Sequence, residues 1–594
     1  MADNYWGNYW SKRTNRRRLL GGAGMAGAGV AALGLVGCGG GSSSNNGTSG
    51  LATPTPAGGA AATATDPFAN AKKGGTYNTY MVNDPPTIDP YGNSSFQTKT
   101  VTSYAYSRLM MYGTGGGVKG TDTRPTGDAA EKWENTPDGM KYTYTLRKGL
   151  TFQNVAPVNG RAVTTDDIKF SYGRATDTKL TTSVQLRNAI DKVEYPDAST
   201  IVFTMKTPNP GFNDTLADTV NGLWIMPTES ADKFDPAKTM IGSGPWTLGS
   251  YTPSVGFKFN KNPNWWKTGF PLMDAVNLAV IPDYPTQLAQ FLAGNSDTMA
   301  PVSDDLVTIK NQVKDVQLNS SISNQANWIY FDGTDPNAPW AKDDRVRQAV
   351  SMAQDRDSIT DLIYNIKKLK AGGIDVQGPW NNLIPAGMTR YWLDPQSTDQ
   401  GDTAQFFKYD PANAIKLLAA AGFPSGFSTT YQYSGNIYGK SFNDAAEATI
   451  AYINAIGIKT TTDVQDYASK YITQTFIGNF KGIAFGLESG FTDPGGYPQR
   501  LFLDNPNNHS KITKDQQLID LTNKQATQMV EADRKATLWD IQRANAQHMY
   551  YIPDQWGAGS TWGAWHPYVM NPLVFRTTGY GGGTEVLPWL WKNK

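Results

Sequence analysis

One cysteine in 594 residues, Cys38, constrains this chain more than any other residue. No internal disulfide can form, so a chain of this length must be held together by what it buries, and it is too long for one ordinary core. The cysteine also marks where the mature chain is expected to start. It closes a stretch with the three parts of an export signal: Arg16-Arg17-Arg18, an uncharged run rich in Gly and Ala, and Leu35-Val36-Gly37 before Cys38. As a helix, the 18 residues Leu19 to Val36 would reach about 27 Å, long enough for a membrane anchor. Six of them are Gly, which weakens helix and hydrophobicity together and favours a removed signal, residues 1–37, over an anchor.

Residues 38–73 are mostly Gly, Ser, Thr, Ala and Pro, which cannot bury a core and form a flexible tether. From about Tyr77 the composition is globular to the end. Lys and Arg total 53 against 52 Asp and Glu; without the five basic residues and one acidic residue that precede Cys38, the net charge is −3. That balance offers nothing to nucleic acid or to an anionic membrane surface. The 17 Trp and 29 Tyr fill a large core or line a ligand cleft, and composition alone does not choose between them. No period of 20–50 residues marks a solenoid or propeller.

Helix and strand patterns interleave, which gives the class α/β or α+β. Tyr142, Tyr144 and Leu146 alternate with polar residues, as do Ile201, Phe203 and Met205, so each set reads as a half-buried strand. Thr164-Thr165-Asp166-Asp167 has capping-box spacing and opens a helix with Ile168, Ser171 and Tyr172 inward. Asp344 caps a second helix, with Val346, Ala349, Val350 and Ala353 on one face. Asp410, Pro411 and Gly422 bracket a third, with Ala414, Leu417, Leu418 and Ala421 inward. A fourth runs from about Asp444 to Gly457 and feeds a strand from Ile458 to Val464.

Catalytic patterns do not assemble. There is no phosphate-binding Gly-x-x-x-x-Gly-Lys-Ser/Thr loop and no Gly-x-Ser-x-Gly elbow with triad order. His509, His548 and His566 lack metal-ligand spacing; His548 shares a helix with Leu538 and Ile541 and reads as a packed or cap-side histidine. The sequence implies no cofactor, no metal and no enzyme activity. A two-lobed hydrolase remains the competing class. The run Lys367-Lys368-Leu369-Lys370 reads as a solvated edge.

Two resemblances add to this reading. The segment ending Leu35-Val36-Gly37-Cys38 resembles a bacterial lipoprotein signal, which implies cleavage before Cys38, acylation of its thiol and a membrane anchor through that lipid. Its arginine pair followed by Leu-Leu also resembles a twin-arginine export signal, so the export route stays open. The globular part resembles the bacterial extracellular solute-binding proteins of oligopeptide, dipeptide and nickel ABC importers. The matching stretches run in family order: Gly74-Gly75-Thr76, Asp84 to Pro90, Glu131 to Gly149, Thr164 to Phe170, Ile241 to Trp246, Asp344 to Val350 with Asp355-Arg356, and Tyr409 to Pro424. The resemblance implies a two-lobed periplasmic-binding-protein-like fold with an extra subdomain in the first lobe. Its expected boundaries are lobe I over 74–321 with the subdomain at about 98–238, lobe II over 322–556, and a return to lobe I over 557–594.

The same resemblance implies an exported protein on the outer face of the cytoplasmic membrane, monomeric, that captures a solute of the oligopeptide class and delivers it to the transmembrane subunits of an ABC permease. An oligosaccharide is the alternative ligand. Glu488, Gly490, Phe491 and Asp493 fall in a stretch like the family's lobe-two cleft segment. In peptide-binding members an Asp at the position of Gly490 holds the peptide α-amine; here Glu488 or Asp493 would have to substitute, unless Gly490 only serves a turn. Gln555 and Trp556 lie on the strand re-entering the first lobe and face the cleft or the core. Ser95, Phe96 and Trp380 are further ligand-contact candidates.

Overall fold

The computed structural model describes residues 68–93, 95–113, 124–180, 184–220, 222–488, 490–505, 508–555, 557, 559–572 and 582–594. Cys38 and Trp556 lie outside the described residues. Phe68, within the stretch expected to be tether, already packs against Phe270 and Trp589, ring centres 5.2 and 5.8 Å away.

The first body holds two four-stranded sheets. In one, Thr76–Met81 pairs in parallel with Ala275–Val280, followed by Gly256–Lys261 and Trp246–Thr252, both antiparallel. The other is antiparallel, in the order Ala130–Asn135, Lys141–Leu146, Thr200–Met205, Ile190–Glu194. The two strands read from alternation are here, with Tyr142, Tyr144 and Leu146 inward and Tyr142 opposite Phe203. Thr164 and Asp167 form the capping box that opens the helix Thr165–Thr176. One continuous apolar cluster joins both sheets, so the stretch read as a subdomain shares its core with the rest of the body.

The turn Gly242-Ser243-Gly244-Pro245-Trp246 needs its glycines for close approach. A Cβ at Gly242 would lie 2.1 Å from the Ala105 carbonyl oxygen. The C-terminal segment 582–594 returns to this body: the Trp246 indole donates to the Gly583 carbonyl at 2.9 Å, and Arg108 pairs with Glu585, both side chains fully buried.

The second body is built on a five-stranded mixed sheet in the order Ile458–Gln465, Phe427–Ser434, Ile483–Glu488, Ala326–Phe331, Tyr551–Pro553. Ala326–Phe331 and Ile483–Glu488 are buried along their whole length, as central strands covered on both faces must be. Ile329, Phe331, Phe485 and Ile552 meet the helices Asp344–Met352 and Lys440–Ala455 on one face. Trp328, Tyr330, Ala484 and Tyr551 meet residues of Gly496–Phe502, Gln516–Gln525 and Glu531–His548 on the other.

Two local expectations are corrected. Asp343, in extended backbone, caps the second helix by accepting from the Arg345 amide at 2.9 Å; Asp344 is its first helical residue, where it pairs with Arg347 and accepts from His548 at 2.5 Å. The fourth helix starts at Lys440, a turn before Asp444, because Gly439 at φ 82° lets the chain turn early and Lys440 pairs with Asp444. The lysine run is solvated as read: Lys367, Lys368 and Lys370 are exposed on the helix Ile366–Ala371, and Leu369 is buried. The third helix is as read, with Asp410 accepting from the Asn413 amide, Pro411 at its first position and Gly422 at φ 95° past its end.

A small sheet of Thr298–Met299, Ser560–Trp565 and Gln317–Ile322 lies where the chain passes from one body to the other. Residues 323–325 lead from it into the second body, and 554–559 lead back. These two crossings frame the site.

Candidate functional site

A cavity of about 520 Å³ opens at the crossings. Ala300–Asp304 and Trp562 line it from the first body, Ile363–Asn365 and Tyr438–Ser441 from the second, and Ser323, Gln325, Gly557 and Ser560 from the crossings themselves. Asn365 ends the helix Arg356–Tyr364 in the left-handed region, which turns its amide to donate to the Asp304 carboxylate at 3.1 Å. The Tyr364 hydroxyl accepts from the Gly557 amide at 2.6 Å and is pushed up to about 12 by burial. A Cβ at Gly559 would lie 2.3 Å from the Tyr364 ring, so the return crossing passes the tyrosine only as glycine.

The charged groups lining the cavity are already engaged. Lys440 pairs with Asp444, and Asp304 takes the Asn365 amide and sits 3.8 Å from Lys368. What remains is a set of hydroxyls, amides and rings. Gln555 is fully buried, and among the described residues neither atom of its amide finds a partner; the hydroxyl of Ser560 is likewise buried and unpartnered. An unmet buried polar group costs about 1–3 kcal/mol, and of these two Ser560 is the one in the lining of the cavity.

The segment after Ile483–Glu488 brings four of the residues singled out in the sequence together. Glu488 is buried, 3.3 Å from the His509 ring nitrogen and 3.6 Å from Arg500. Asp493 accepts both terminal nitrogens of Arg534, at 2.7 and 2.6 Å. Phe491 is set edge-on to Tyr497, ring centres 4.9 Å apart, with Arg500 over its face. Gly490 abuts Asn324: a Cβ there would lie 2.4 Å from the Asn324 side-chain oxygen, and the Asn324 amide donates to the Phe491 carbonyl at 3.0 Å. Both carboxylates of the segment thus face cations of the same body, and the space beside Gly490 is filled by an amide.

The other candidates lie apart from this group. Ser95 caps the helix Phe96–Ala105 by accepting from the Thr98 amide at 3.2 Å, and Phe96 is half exposed. The Trp380 indole donates to Asp357 at 2.8 Å, at the end of the Arg356–Tyr364 helix opposite the cavity. No group of three or more His, Cys, Asp or Glu side chains among the described residues is placed to hold a metal. No helix among them is long and apolar enough to cross a membrane. Asn324, Tyr364, Tyr438, Trp562 and Arg534 were not legible as site residues. Each acts through a partner far away in sequence, and no local pattern carries that information.

Comparison with known proteins gives the following. Residues 124–509 match the profile of the bacterial extracellular solute-binding proteins, family 5 middle region. The heme-binding protein A of Haemophilus influenzae is 28% identical over 412 residues, 66% of this chain and 70% of its own length. The glutathione-binding protein GsiB of Salmonella choleraesuis is 26% identical over 384 residues, 64% and 67% of the two lengths. The ABC transporter-associated periplasmic binding protein DppA of Helicobacter pylori, solved with the peptide STSA, superposes with a TM-score of 0.64 at 20% identity, over 88% of this chain and 99% of DppA. The fold is therefore that of the two-lobed periplasmic binding proteins.

Proposed function

Because this chain belongs to the bacterial extracellular solute-binding proteins of family 5, we propose that it captures a solute in the cavity at the two crossings and hands it, lobes closed, to an ABC permease. Lipid on Cys38 holds it at the membrane. The observation that carries the reading is the cavity itself: it takes its lining from both bodies and both crossings, so a solute bound there contacts parts that a hinge would bring together. Such a solute drives closure by its higher affinity for the closed arrangement. The buried, unpartnered hydroxyl of Ser560 lies in the lining of the cavity.

The ligand is of the oligopeptide class, in keeping with the glutathione-binding GsiB and the peptide-bound DppA, though not with the heme-binding relative. The 488–493 segment, outside the lining of that cavity, favours a second reading, a ligand without a free α-amine, such as a blocked peptide or an oligosaccharide. A buried ammonium needs a paired carboxylate, but Asp493 is committed to Arg534 and Glu488 faces Arg500 and His509, while Asn324 fills the space at Gly490. Calorimetry decides between them, with a mixed tri- to pentapeptide pool, the same pool N-acetylated, and a panel of α- and β-linked oligosaccharides. Binding that survives acetylation, or that appears only with sugars, is expected. Submicromolar binding of free peptides that disappears on acetylation would overturn the second reading and leave the first.

A further inference from the structure

Away from the cavity, residues 124–214 of the first body meet residues 390–534 of the second in a cluster of charges. The Arg534 guanidinium holds Asp493 in a two-pronged pair, Arg390 donates to Glu531 at 2.7 Å, and Arg124 reaches the same Glu531 at 3.1 Å from the exposed rim. Into this face the short helix Phe212–Ala217 brings Asp214. The approach is close. A Cβ at Gly211 would lie 2.4 Å from an Asp493 oxygen, and one at Gly139 would lie 2.4 Å from the Met529 sulfur.

Counting the charges shows what is odd about the cluster. Asp493 uses Arg534, and Glu531 uses Arg390 and Arg124. Asp214 is the carboxylate left over, half-buried, and no hydrogen bond among the described residues ends on its carboxyl group. The titratable groups facing it are Arg390, Asp493, Arg534 and Glu531, with Tyr142 and Tyr391 beside them. On its own body the strands packed against its helix, Met110–Tyr112 and Pro125–Gly127, carry no charge; Tyr112 donates only to the Asp214 backbone carbonyl, at 3.3 Å.

We propose that Asp214 is a proton-linked latch between the two bodies: they close on each other with its carboxyl protonated, and ionisation loosens the closed arrangement. This rests on the reading above that the bodies close on a solute. The environment agrees with it. Burial is the largest influence on Asp214 and pushes its carboxyl up to about 7, with Asp493 and Glu531 of the facing body adding to the shift and Arg390 and Arg534 opposing it. In the open arrangement that burial is lost and the carboxyl returns toward its ordinary 3.8. A carboxyl with the higher pKa in the closed state takes up a proton on closing. Closure is therefore favoured below 3.8, weakens as pH rises from there through 7, and is weakest above 7. Between pH 8.5 and 5.5 the ratio of closed to open molecules rises roughly thirtyfold.

The test is small-angle scattering of the full chain without added ligand at pH 5.5, 7 and 8.5, in the wild type, Asp214→Asn and Gly211→Leu. Asp214→Asn keeps the shape and removes the proton, so it is expected to stay compact at all three values while the wild type expands as pH rises. Gly211→Leu cannot make the approach to Asp493 and is expected to be expanded throughout. A wild type whose radius of gyration does not change with pH, or an Asp214→Asn that changes with pH as the wild type does, overturns the latch. If Gly211→Leu is as compact as the wild type at pH 5.5, the closure reading fails as well, which separates the two.

Discussion

Asn324 does at residue scale what the sequence left open at Gly490. The glycine reads equally as a lost ligand contact and as a turn; in the structure it is the place where an amide comes within van der Waals reach of the backbone. Gly490→Asp would not restore an amine site. Its Cβ would collide with the Asn324 side chain and lie 2.8 Å from the Asn324 backbone oxygen, so the segment has to shift and the bond to Phe491 is lost. We expect a loss of about 1–3 kcal/mol of stability, read from urea unfolding. A variant as stable as the wild type would show that Asn324 moves freely and that the space beside residue 490 is available.

At the scale of elements, capping residues and alternating strands were legible because their causes are local. Asp410 with Pro411, Thr164 with Asp167, and Tyr142 with Tyr144 each act within a turn or a strand. The packing of residues 582–594 on the first body was not legible in this way. It includes a contact 477 residues apart in sequence, the pair Arg108 and Glu585, with no local signature at either end. Arg108 is buried against Trp224, and removing Glu585 would take a counter-charge from a fully buried guanidinium. Glu585→Ala is expected to cost about 3–5 kcal/mol and to be seen as a lower denaturation midpoint with unchanged m-value. A midpoint equal to that of wild type would mean that the return segment is held without the pair.

For the whole molecule, the two bodies and their crossings explain how a chain without disulfides is held: each body closes its own apolar core, and the connection between them is short and doubled. The anchor belongs to this scale too. Cys38→Ala removes the only thiol, and we expect the variant in the soluble fraction of cells whose wild type sediments with membranes. A variant that still sediments would leave the lipid reading without support and favour retention of the uncleaved Leu19–Val36 segment.

The sequence by itself determined the class of the fold, the starts of the four helices it marked to within about a turn, and the family. Those follow from periodicity, capping and motifs in order, all written in neighbouring residues. It also pointed to the 488–493 segment. Only the tertiary structure decided what that segment can do. Whether Glu488 and Asp493 are free for a ligand depends on His509, Arg500 and Arg534, and whether Asp214 is solvated or trapped depends on a face contributed by residues 390–534. The charge state and availability of a side chain are set by what packs against it, and in this chain those neighbours come from segments tens to hundreds of residues away.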